Sequence, residues 1–181
     1  MLFRMTAVEL LKHEADMAFA DLMAALEGVE QPQSWSVLEE RGTDYLHSDA
    51  SIHGITLHIA SGKVMYGSVG FRSTERRWRD CADEIGKFEP SWSAAVQYLE
   101  QSHEYWMKSW LKLTDHDLEN EVPHFSGKLW PAWKVVRMVI YHDAYHTGQI
   151  AMLRYACSAS EIPPPSVAED IRKYCVDLPS W

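Results

Sequence analysis

From Pro131 to about Cys157, apolar residues recur every three or four positions, and Val135, Met138, His142, Gln149 and Leu153 fall on one stripe. No proline interrupts this run after Pro131, whose missing amide hydrogen suits the first turn of a helix. The pattern predicts one long helix that buries a single side. Three earlier stretches share its period. The first, Thr6 to Gly28, carries Val8, Leu11, Ala15, Ala18, Leu22 and Leu26 on one face, with Thr6 as N-cap, Glu9 as its capping-box partner and Gly28 as the stop. The second, SIHGITLHIASGKVMYGSV, follows a cap at Ser48 or Asp49 and aligns Ile52, Ile55, Ile59, Gly62 and Tyr66. The third opens at Ser91 or Ser93 with the stripe Ala94, Tyr98, Tyr105 and Leu111.

The intervening segments read as connectors. Gln31 to Leu46 contains Pro32 and Gly42, with a helical turn expected around Ser36 to Glu40; Gly70 to Pro90 is charged and irregular; Asp115 to Trp130 is a long connection with a short extended pair. Strand alternation is otherwise almost absent. The expected fold is all-α, a four-helix bundle with long connectors. The bundle should occupy residues 1–163, and residues 164–181, beyond the proline spacer EIPPPS, should form a C-terminal extension packed on it.

Charge narrows the function classes. With 26 acidic against 17 basic residues, the formal charge of -9 repels phosphate backbones, and the basic stretch Arg72 to Arg79 is short and broken by Glu75. A nucleic-acid partner is not expected. Glu9, Glu14 and Asp16 interrupt the N-terminal apolar run, and no segment approaches the roughly 20 apolar residues of a membrane span, so neither a signal peptide nor a membrane partner is expected and the location should be cytoplasmic. Cys81, Cys157 and Cys175 are widely separated and read as reduced thiols.

The chemistry concentrates in YHDAYHTGQIAML. His142 and His146 stand one helical turn apart on the apolar stripe, the spacing at which two imidazoles can reach one ion. Such pairs also occur on solvated faces and in satisfied polar networks. A metal site open for chemistry commonly has three protein ligands. The third candidate is His58, in LHIASG on the second helix, which taken alone also suits a hydrogen-bonded core residue. His53 lies about 140° around that helix from His58 and should not share its ion. His13, His47, His103 and His116 read as surface residues, and His124 as an outside candidate. Asp143 turns the pair into HDxxH, one methylene short of the HExxH helix of zinc proteases, and reads best as an exposed helix residue.

HDAYHTGQIAMLR resembles the H-x-x-x-H-x-G-Q signature of the DinB family, also called the DinB/YfiT-like metalloenzymes, and LHIA resembles that family's earlier histidine motif. The resemblance implies that His58, His142 and His146 form a facial ligand triad for zinc, nickel or a related divalent ion. It also implies a homodimer and a small-molecule substrate, with thiol-dependent transferases and isomerases among the relatives. The expected activity is therefore metal-dependent transfer or isomerisation on a small electrophile, using a low-molecular-weight thiol or water. A metal-dependent hydrolase, or a noncatalytic metal- or ligand-binding stress protein, is the alternative. Gln149 could supply its amide to a histidine or a ligand.

Overall fold

The computed structural model describes residues 5–37 and 51–156. Four long helices build it: α1 (Ala7–Leu26), α3 (Ile52–Tyr66), α5 (Trp92–Trp110) and α6 (Ala132–Ala156), joined by the shorter α2 (Gln31–Ser34) and α4 (Trp78–Phe88). The bundle is the expected all-α fold, with one two-stranded antiparallel hairpin, β1 (Glu121–Pro123) and β2 (Leu129–Pro131), in the connector before α6. The expected C-terminal extension lies outside the described residues, as do Ser48, Asp49 and His47.

The start of α1 follows its sequence. Thr6 accepts from the Glu9 amide while Glu9 accepts from that of Thr6, and Gly28 takes the left-handed turn at φ 74° that ends the helix. Asp115, distant in sequence, accepts the Ala7 and Val8 amides and so ties the helix start to the connector that follows α5.

Several expectations are corrected. A short helix, α2, forms at Gln31–Ser34, where Pro32 fits a first helical turn, and the turn expected around Ser36 to Glu40 lies largely outside the described residues. Ser51 caps α3, its hydroxyl accepting from the Gly54 amide. Pro131 ends β2, one residue ahead of α6. The charged segment 70–90 contains α4, whose Cys81, Ala82 and Ile85 are buried between exposed charges, and Asp80 accepts the Arg77 amide at its start. The face of α5 is also turned: Ala95, Tyr98, Leu99, Ser102, Trp106 and Trp110 are buried, while Ala94, Tyr105 and Leu111 flank them.

The largest departure is α3. Sequence spacing suggests one buried side, yet every residue of this helix is buried except His58 and Tyr66, which are half-buried. It is the central helix, packed on α5 and α6, and a π-helical turn, Gly67–Phe71, continues it. Gly62 faces α6: a Cβ there would lie 3.5 Å from the His142 ring, an ordinary van der Waals contact. Along the seam His58 meets His142 and His146, Tyr66 reaches the Met138 sulfur and Gly70 faces Val135. Rising residue numbers on α3 meet falling ones on α6, so the two helices run antiparallel.

Candidate metal centre

His58, Gly62 and Tyr66 are spaced by four along α3, and Met138, His142 and His146 by four along α6, so each helix presents one row to the other. At one end of this seam three imidazoles converge. His58 Nε2 lies 2.9 Å from His142 Nε2, which lies 3.2 Å from His146 Nε2. All three candidate ligand atoms lie within 4.8 Å of one another. Metal–nitrogen bonds of about 2.0–2.1 Å put neighbouring ligand atoms roughly 2.9–3.4 Å apart in octahedral or tetrahedral shells. The two short separations fall in that window. The donor chemistry points the same way: a ring nitrogen has one in-plane position, a proton or a lone pair, so His142 Nε2 cannot make linear hydrogen bonds to both neighbours. One cation between the three nitrogens removes that conflict.

Protonation states favour ligation. The Gln149 carbonyl Oε1 accepts from His146 Nδ1–H at 2.6 Å, which leaves the His146 Nε2 lone pair aimed at the cluster. Gln149 in turn donates through Nε2 to the Tyr145 hydroxyl, and the exposed Tyr145 ring stands edge-on to His146. Burial, reinforced by His58, His146 and Lys63, holds His142 well below the usual imidazole range, so the ring is neutral at neutral pH and keeps a lone pair on one of its two nitrogens. No carboxylate or cysteine joins the cluster among the described residues.

Sequence spacing pairs His142 with His146, His58 is the third candidate, and the fold brings the three together. The remaining histidines scatter. His53 is fully buried on the other side of α3, stacked on Trp35 at 3.9 Å and bonded to the Ser34 hydroxyl; burial lowers its pKa to about 4. His13 and His116 are exposed. His103, read as a surface residue, is half-buried and stacked on Phe19 at 3.7 Å, with its pKa lowered to about 3 by burial and then by Lys63. His124 packs among Tyr66, Phe125 and Trp130 and does not join the cluster.

The family model described as DinB superfamily matches residues 2–150. The chain belongs to the DinB superfamily. Within this DinB-superfamily chain, the matched region ends just after Gln149 and so includes all three histidines. No curated protein matches the chain in a sequence comparison.

Asp143 is the main correction at this DinB-type site. It is 1% exposed rather than solvated, and its Oδ2 accepts from the fully buried Lys63 ammonium at 2.5 Å. Asp143 is pushed up and Lys63 down by desolvation, each opposed by its partner. Cys81 is buried against Arg76, and burial lifts its thiol to about 11, so α4 supplies no ready thiolate. Among the described residues, no helix is long and apolar enough to cross a membrane.

Proposed function

We propose that His58, His142 and His146 bind one divalent transition ion, zinc or nickel, and that the protein catalyses transfer or isomerisation on a small electrophile with a low-molecular-weight thiol. The observation that carries this reading is the convergence of His58 and His146 on His142 Nε2 at 2.9 and 3.2 Å. A divalent ion there would supply Lewis acidity, lowering the pKa of a thiol or water so that a nucleophile exists at neutral pH.

Three neutral imidazoles would leave the ion's double charge uncompensated, which favours an anionic ligand such as a thiolate. Gln149 holds the His146 tautomer that makes this possible. Tyr145 places a phenol on the same side of α6. The hydrolase alternative gains nothing from HDxxH, since the Asp143 carboxylate is committed to Lys63 and does not stand ready as a general base. A homodimer remains part of the proposal, through the family resemblance, and sedimentation velocity reads it.

The test is metal content by mass spectrometry on protein purified without a metal-affinity tag, followed by zinc, nickel and manganese titration. About one ion per wild-type chain, lost in His58→Ala and His142→Ala, supports the triad. Wild-type protein that carries no ion and takes none up sinks it. Turnover of an electrophile with a thiol, abolished by chelation and restored by metal, separates a catalyst from a metal-binding protein that chelation merely destabilises.

A further inference from the structure

One residue past each side of the seam, the chain buries a full pair of charges. Lys63 follows Gly62, which faces the His142 ring, and Asp143 follows His142 itself. The helical step of about 100° turns both side chains away from the imidazoles and into the bundle interior. There the Lys63 ammonium lies 4.8 Å from the Trp106 ring and 5.5 Å from that of Phe19. Lys63 is 0% and Asp143 1% exposed, and they meet at 2.5 Å.

A buried pair of charges is weak evidence of added stability. Burying two charges costs their hydration, and mutual attraction repays it only when every remaining polar atom is also satisfied; well-packed apolar residues often do as well or better. Asp143 Oδ1 is buried without a hydrogen-bond partner. What apolar contacts lack is direction. The α3–α6 seam at this level is a glycine against a flat ring, a contact that tolerates sliding. A slip of one helical turn moves a helix by about 5.4 Å along its axis, enough to break a 2.5 Å ion pair and to separate His58 Nε2 from His142 Nε2. The pair and the imidazoles therefore demand the same register.

We infer that Lys63 and Asp143 are positioning residues that lock α3 against α6 and hold His58 at ligand distance from His142 and His146. The inference rests on the metal-site reading above. It makes the buried pair a determinant of metal affinity and coordination geometry, although neither residue touches the ion.

The full chain carrying Lys63→Met and Asp143→Leu together tests this, because it removes both charges without stranding one. The readouts are far-UV circular dichroism and Tm of the metal-free protein, zinc affinity by competition with a chromophoric chelator, and the ligand-field absorption of the cobalt(II)-substituted protein. The expected result is a folded, metal-free protein whose Tm is not lowered, whose zinc affinity falls roughly 10–100-fold and whose cobalt bands shift or weaken. Asp143→Glu, which keeps the charges but lengthens one arm, guards against misfolding of the double variant and should weaken zinc binding several-fold with a shifted cobalt spectrum. Variants that bind zinc within twofold of wild type, with unchanged cobalt bands, overturn the positioning role and leave the metal site standing. Wild-type protein that binds neither ion overturns the metal reading itself.

Discussion

His53 and His58 lie five residues apart on one helix and meet opposite fates. His53 is enclosed, sandwiched on Trp35, bonded to Ser34 and fully buried, with its pKa lowered to about 4. His58 is half-buried and faces two other imidazoles. The same side chain serves as a flat core plank on one side of α3 and as a candidate ligand on the other. Burial alone therefore does not mark a functional histidine. Convergence of ring nitrogens does.

The sharpest way to break the comparison is to delete each kind of imidazole in turn. His142→Ala should abolish stoichiometric metal binding, since it removes the central nitrogen of the three, while the metal-free protein unfolds within about 1–2 kcal/mol of wild type. Metal analysis alongside urea denaturation checks both halves. His53→Ala should do the reverse. It opens a cavity beside Trp35 and should cost roughly 2–4 kcal/mol in urea denaturation, with the ion count per chain unchanged. A loss of metal in His53→Ala would erase the distinction drawn here.

Gln149→Leu tests a subtler half of the ligand side. With no acceptor at His146 Nδ1, the ring can turn or change tautomer, and zinc affinity in a chelator competition should fall about 10–100-fold. An unchanged affinity would show that packing alone orients His146.

The smallest effect separates the enclosed histidines by pH. His53 and His103 have folded-state values near 4 and 3, below the unfolded value of 6.5, so the unfolded chain takes up protons first as pH falls. Their stabilising contribution is present above pH 6.5 and is lost as pH drops toward those folded values. Between pH 7.5 and 5.5 each should cost about 1 kcal/mol. His53→Phe should flatten that slope by one histidine's share in urea denaturation of metal-free protein, and an unaltered slope would mean that His53 is not held neutral by its surroundings.

What the sequence made legible was local. The capping box at Thr6, the stop at Gly28 and the pairing of His142 with His146 depend on neighbours within a few positions, and all appear in the fold. Long-range partners were harder to see. Lys63 and Asp143 are 80 positions apart, and Asp143 reads as a solvent-facing charge on its helix until Lys63 is placed against it. His103 misled for the same reason, because the ring that covers it, Phe19, comes from α1. The missed α4 has a different cause: its stripe Trp78, Cys81, Ile85 and Phe88 was present, but the charges between these residues dominated the composition of the segment. The all-round burial of α3 could not be read from its period, since a central helix has no polar face to alternate with.

The three imidazoles do not come together at the same moment in the life of the chain. His142 and His146 meet as soon as one turn of α6 forms, whereas the approach of His58 closes a loop of 84 residues. Closing that loop costs about 4 kcal/mol in chain entropy, against almost nothing for the local pair. An unfolded chain can thus offer a two-nitrogen foothold before α3 docks, and an ion caught there would slow or guide that docking according to how firmly it is held. Refolding rates measured with and without zinc would then report on assembly order, a property written into the spacing of three histidines.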